Sequence, residues 1–344
     1  MLEEYLQKEK LSKKTIKQII AFAKKARVSN DYTIKNTKAI IEYLKSKDYT
    51  IGQINKLLYH DMTLYASQAE TLEDKRTFYL KKGFNDKEIN KMSIKSSVIY
   101  GYSSKLIEER YEFLKNYFDD KQMHKILTVF PNILSFKSEK ILKRREYLKS
   151  LGYCDAQINR ITLRTPSIYA RNEKSLDDKR KYLHSIGFND EEINKITVAF
   201  PSIYAYALDN LEEKYEYLSS IYNKQEVHQI ILNFPEILCL SKENLEKKIQ
   251  CFENLNMHNI IVNQSKRLMQ SVELTYARSE FLKEKFVLIK DNNHRALFLD
   301  NSRFVKKFGI TKGELLEKYP YNINPKNKEI LWKKTKLMYN SKRW

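Results

Sequence analysis

Ile196 to Leu218 reads ITVAFPSIYAYALDNLEEKYEYL: an apolar helical pattern, a proline, then a second amphipathic pattern. Nearly the same sentence stands at Ile161–Leu183 (ITLRTPSIYARNEKSLDDKRKYL), at Ile126–Leu148 (ILTVFPNILSFKSEKILKRREYL) and at Ile230–Phe252 (IILNFPEILCLSKENLEKKIQCF). Self-similarity at a fixed period decides the fold before length or composition does. The first leucine or isoleucine of the second helix recurs as Leu72, Leu106, Ile141, Leu176, Leu211 and Leu245, at spacings of 34, 35, 35, 35 and 34. The chain has six prolines, and Pro131, Pro166, Pro201 and Pro235 hold the same place in successive copies. Met62 and Ser97 hold that place in the two earliest copies, so proline is the preferred breaker and not an obligatory one.

One copy has too few apolar residues to bury a core alone, so neighbours must stack and share one, as in a helical solenoid. A composition of 42% hydrophobic and 31% charged residues with only seven glycines suits a helix-rich chain. No run of about 18 apolar residues occurs, which argues against a membrane span. The amino terminus, MLEEYLQKEKLSKKTIKQIIAFAKKARVS, has no apolar core of the signal-peptide kind, and it is Lys-rich with acids at its start, unlike a transit peptide. Cys154, Cys239 and Cys251 are too few and too scattered for a disulfide framework, so a reducing compartment is expected.

Each copy opens on a capping box, in which a polar cap residue and the Glu or Gln three positions later each satisfy an orphan N–H of the other. Thr50/Gln53, Asn85/Glu88, Asp119/Gln122, Asn189/Glu192 and Asn223/Glu226 fit, and Cys154/Gln157 is the poor one. The second helix carries apolar pairs seven apart, Leu176 and Leu183 or Leu211 and Leu218, marking its buried stripe. Gly83-Phe84, Gly152-Tyr153 and Gly187-Phe188 close three copies, the glycine supplying a left-handed helix terminus.

Several repeat families share this period. Tetratricopeptide and pentatricopeptide units place their proline at or between unit ends, whereas here it lies between the two helices of one unit. The order Gly-aromatic, Phe-Pro-x-Ile/Leu turn, then Leu-x-x-Lys/Arg-x-x-Phe/Tyr-Leu helix resembles the repeat of the mitochondrial transcription termination factor family over residues 43 to 255. The resemblance implies an all-α, curved solenoid of about six to seven repeats, each with two helices and a short 3-10 turn. It also implies binding to double-stranded DNA or RNA along a basic groove, in regulation of transcription or RNA metabolism. On this reading 1–42 is a helical cap, 43–255 the repeat array, and 256–344 degenerate C-terminal repeats with a basic tail. The chain is expected to be a monomer, cytoplasmic if bacterial and in the mitochondrion or plastid if eukaryotic.

Charge supports the nucleic-acid reading independently. With 63 Lys and Arg against 43 Asp and Glu, the formal net charge of +20 attracts polyanions. Residues 280 to 344 hold 16 basic and 7 acidic side chains and end in WKKTKLMYNSKRW. Within the array, the fifth position of the second helix reads Arg76, Arg110, Arg145 and Arg180, then Tyr215 and Ile249, while the fourth reads Lys75, Glu109, Arg144, Lys179, Lys214 and Lys248. At about 100° per residue these columns lie roughly 50° to either side of the buried stripe, placed to edge a groove. Arg76, Arg110, Arg144, Arg145, Lys179, Arg180, Lys214 and Lys248 are therefore the expected phosphate contacts, and their replacement is expected to leave stability nearly unchanged.

A second basic file on the first helix, Lys56, Lys91, Lys125, Arg160 and Lys195, reads as a solvated face. The tyrosines three residues after the breaker, Tyr65, Tyr100, Tyr169 and Tyr204, alternate with leucines and so read as packing. The column Asn55, Asn90, His124, Asn159, Asn194 and His228 reads as a repeated structural hydrogen bond and not as metal ligands. No phosphate loop, dinucleotide loop, zinc-ligand pair or nucleophile elbow occurs, so neither catalysis, cofactor nor metal is expected. A scaffold whose partner is a protein is the alternative, since repeat arrays serve both uses.

Overall fold

A computed structural model describes residues 2–61, 64–65, 67–286 and 294–321. The basic tail from 322 onward, with the breaker residue Met62, lies outside the described residues. The chain divides into two units, Met1–Glu173 and Lys174–Trp344. The first carries α1 (Leu2–Lys8), α2 (Lys13–Ala26), α3 (Asn30–Ser46), α4 (Ile51–His60), α5 (Ala69–Lys81), α6 (Asp86–Lys95), α7 (Val98–Gly101), α8 (Ser104–Lys115), α9 (Asp120–Val129), α10 (Ser138–Ser150) and α11 (Asp155–Arg164). The second opens with α12 (Glu173–Ser185) and continues through α13 (Asp190–Ala199), α14 (Leu208–Ser219), α15 (Lys224–Asn233), α16 (Lys242–Asn254), α17 (His258–Asn263), α18 (Val272–Phe286), α19 (His294–Leu297), α20 (Asn301–Phe308) and α21 (Lys312–Lys318). The described residues form no strand, and no helix among them is long and apolar enough to cross a membrane.

The repeat is visible at the level of backbone angles. Proline disfavours the helical conformation of the residue before it, and Phe130, Thr165, Phe200 and Phe234 sit at φ −140, −143, −138 and −148° with ψ of 71 or 73°. Each proline then starts a 3-10 turn, Pro131–Ser135, Pro166–Ala170, Pro201–Ala205 and Pro235–Cys239, where its missing N–H costs nothing. Ile133, Ile168, Ile203 and Ile237 close these turns by donating to the carbonyl of the pre-proline residue at 3.0 to 3.1 Å. Without proline the place is filled differently: by the single helical turn α7 after Ser97, and by the 3-10 turn Ser265–Met269 between α17 and α18.

All five capping boxes form, and Gln157 keeps its half of the sixth, accepting from the Cys154 N–H at 2.9 Å. Gly83 and Gly187 take φ of +87 and +106° at the ends of α5 and α12, and Asp48 and Asn256 adopt left-handed angles after α3 and α16. In the first unit α2 packs on α4, α4 on α6, α6 on α9 and α9 on α11; in the second, α13 packs on α15 and α15 on α17. Ile54, Ile89, Met123 and Ile158, and separately Ile193 and Val227, are fully buried along these rows. Each such side chain contributes about 1.5–3 kcal/mol of burial. Tyr65, Tyr100, Tyr169 and Tyr204 are buried as well, as packing residues.

Candidate nucleic-acid interface

The two cationic columns turn inward. Arg76 donates to Asp86 from Nε and NH2 at 2.7 and 2.5 Å, to Asn90 at 2.9 Å and to the Tyr100 hydroxyl at 3.1 Å. Arg145 repeats the arrangement on Asp155 (2.7 Å) and Asn159 (2.9 Å), and Arg180 on Asp190 (2.5 Å) and Asn194 (2.8 Å). Their side chains are 0, 3 and 6% exposed. The acid in each case stands at the first position of the next unit's first helix, where the helix dipole also favours it. The Lys149 and Arg145 hydrogen bonds hold the Asp155 carboxyl below the usual range, and the Arg180 hydrogen bond does the same for Asp190.

The fourth column reaches the following turn instead. Lys75 donates to the Tyr100 carbonyl, Arg110 NH1 to Leu134 O at 2.7 Å, Arg144 to Arg171 O, and Lys248 to Gln270 O at 2.9 Å. A cation here satisfies carbonyls left over at a helical C-terminus. Burial lowers the pKa of both Lys75 and Lys248. Lys179 bonds Ser175 at 3.3 Å and Lys214 pairs with Glu213, both side chains buried. Arg110 is half-buried and belongs to this column, because the buried stripe of α8 runs through Ile107, Tyr111 and Leu114 and not through Leu106. The spacing there is one residue later than the sequence alone indicated.

Of the eight expected phosphate contacts, Arg76, Arg110, Arg144, Arg145, Arg180 and Lys248 are thus corrected to internal ties between consecutive repeats, while Lys179 and Lys214 are buried against partners on their own helices. The physical reason is geometric. A second helix is flanked by the next first helix and the next turn, as α5 is by α6 and α7, so positions about 50° off the stripe are inside the packed arc.

Where the fifth position is Tyr111 or Tyr215 in place of arginine, a histidine supplies the tie. His124 bonds Glu88 at 2.9 Å and stacks on Phe84 at 4.4 Å, and His228 bonds Glu192 at 2.9 Å and stacks on Phe188 at 4.3 Å. The asparagines of the same column donate backwards, Asn90 to Lys47 O at 2.7 Å and Asn159 to Tyr117 O at 3.0 Å. His258 bonds Glu253 at 3.2 Å and Glu226 at 2.9 Å, and these bonds raise its pKa to about 9 against the burial that lowers it.

The first helices carry an exposed file of cations. Lys56, Lys91, Lys125 and Arg160 stand exposed on the adjacent helices α4, α6, α9 and α11, and none forms an ion pair among the described residues. One turn away, Lys87, Lys95, Lys121 and Arg164 are exposed too. The acids of these helices, Asp86, Glu88, Asp120 and Asp155, all fall in the first turn and are engaged by Arg76, His124, Lys115 and Arg145. The remaining turns therefore present positive charge alone. A polar cleft of about 400 Å³ opens beside this face between Lys56, His60, Asp61, Ser93, Lys95 and Asn132.

The file weakens in the second unit. Lys195 pairs with Glu191 at 2.9 Å, and Gln229 holds the equivalent place on α15. The outer faces of the second helices are mixed, with Lys105, Glu108, Glu109 and Glu112 on α8 and Glu139, Lys143, Glu146 and Lys149 on α10.

None of the curated proteins compared matches this chain. The family model described as mTERF matches residues 2–224 and 156–263, reaching from α1 through α17 and so extending into the second unit. With that match, the four-copy pre-proline geometry and the repeated helix, turn, helix order, the chain belongs to the mTERF family.

Proposed function

We propose that this chain is a non-catalytic nucleic-acid-binding protein that acts on DNA or RNA in transcription or RNA metabolism, and that it does so through the first-helix face of the unit Met1–Glu173. Family membership supports the ligand class. The observation that carries the surface is the exposed file Lys56, Lys91, Lys125 and Arg160 on four helices packed side by side, with every acid of α6, α9 and α11 withdrawn to a first turn. Side-by-side helices lie about 9 Å apart, so the file spans about 27 Å, the rise of about eight nucleotides in a duplex strand.

Fluorescence polarisation against duplex DNA, single-stranded DNA and RNA at two salt concentrations tests this. Replacing Lys56, Lys91, Lys125 and Arg160 by Gln should weaken binding and lower the slope of log affinity against log salt by about 0.9 per lost duplex contact or about 0.7 per single-strand contact. An unchanged slope in the folded variant removes this face as the interface. No binding by the wild type at low salt removes the nucleic-acid reading and leaves the protein-binding scaffold.

A further inference from the structure

Resting on that reading, we propose that the basic face engages single-stranded nucleic acid, with bases stacking on the aromatic pair Phe130–Phe136 while the neighbouring lysines hold the phosphates. The two rings stand at either end of the turn Pro131–Ser135, 6.2 Å apart and tilted by 36°, and both are partly exposed. The ammonium of Lys140 lies 4.3 Å from the centre of the Phe136 ring. Lys95 reaches the same corner, donating to the Thr128 carbonyl at 2.6 Å, two residues before Phe130. Beside them Val129 is 54% exposed, one helical turn after Lys125. Cations and apolar surface are therefore interleaved at one end of α9.

A duplex offers such a corner only phosphate and sugar, because its bases are already stacked on each other. An unstacked strand offers both chemistries at once, phosphates for the lysines and ring faces for the phenylalanines, and stacking of this kind is tolerant of sequence. The fold does not require the rings. The equivalent pair one unit later is Thr165 and Arg171, on the same pre-proline angles. The second unit repeats the aromatic pair as Phe200–Tyr206 at 6.3 Å, but beside it stand the exposed Glu191 and Lys195 and the partly exposed Ala199. That pair serves as the internal control.

The test compares a 12-nucleotide single strand, as DNA and as RNA, with a duplex of the same length. The wild type should prefer the single strand, and Phe130→Leu with Phe136→Leu should weaken that binding about tenfold while leaving duplex binding unchanged. Phe136→Trp, which keeps a ring, should retain full single-strand affinity, and Phe200→Leu with Tyr206→Leu should not alter it. Equal or tighter binding of the duplex by the wild type overturns the proposal, as does unchanged single-strand affinity in a double-leucine variant with native helicity. If the lysine-file variant loses binding while the double-leucine variant does not, this inference fails and the proposed function stands. If the wild type binds none of the three probes, both fail.

Discussion

Replacing Arg180 by Met separates an internal tie from a ligand contact. Met keeps the apolar stem and removes the guanidinium, with its bonds to Asp190 at 2.5 Å and Asn194 at 2.8 Å. A hydrogen bond from a charged donor is worth about 1.5–3 kcal/mol. The Asp190 end must be discounted towards about 1 kcal/mol, because that side chain is 72% exposed and returns to water. The Asn194 end, on a partly buried amide, contributes about 1 kcal/mol more. The sum is about 2 kcal/mol, which in a unit of this size lowers Tm by about 4–8 °C.

Circular dichroism melts and urea midpoints read the loss. The acid limb should change too. The Asp190 carboxyl is held below its ordinary pKa, so its contribution is present above the usual carboxylate range and fades as pH falls through the lowered value. Arg180→Met should flatten that limb. In the same protein the salt slope of nucleic-acid binding should match the wild type. A variant with unchanged Tm and a slope lower by about 0.7–0.9 refutes the reasoning, since the guanidinium would then be spent on phosphate.

Cys154→Asn should complete the one box that lacks a polar cap and raise stability by about 1 kcal/mol, read as a higher urea midpoint at constant m. His258 has a raised pKa of about 9, so its stabilising pairs with Glu253 and Glu226 are fully present below pH 6.5 and are lost as pH rises through about 9; His258→Gln should abolish this alkaline dependence in melts taken from pH 6 to 10. Gly83, at φ +87°, should accept Asn at little cost, as Asp48 and Asn256 show for left-handed angles after other helices, while Gly83→Val should cost about 1–2 kcal/mol in the same assay.

The architecture was legible because its determinants are local. A proline constrains its own φ and the residue before it, and four prolines at one period give four copies of one backbone corner. Capping boxes are equally local, with both partners three residues apart. The register of α8 was less legible, because Leu106 and Ile107 are both apolar and only packing selects Ile107. What the sequence concealed was the direction of the arginines. Periodicity places a residue relative to its own helix axis, but the neighbours that bury it are contributed by the next period, ten and fourteen residues on.

A signal for those neighbours does exist in the column patterns taken jointly. Arg76, Arg145 and Arg180 are each followed ten residues later by Asp86, Asp155 or Asp190, and fourteen later by Asn90, Asn159 or Asn194. Where the arginine gives way to Tyr111 or Tyr215, the asparagine gives way to His124 or His228, thirteen residues on. A residue that met only a diffusing phosphate would have no reason to change in step with a side chain in the next unit. The two combinations are alternative solutions to one problem, joining a helix to the unit that follows it, and the arginine brings its own counter-charge along. The first-helix lysines have no such partner column. Outside Lys195, which Glu191 pairs, the charges of Lys56, Lys91, Lys125 and Arg160 form no ion pair among the described residues, and that distinguishes charge available to a ligand from charge consumed by the fold.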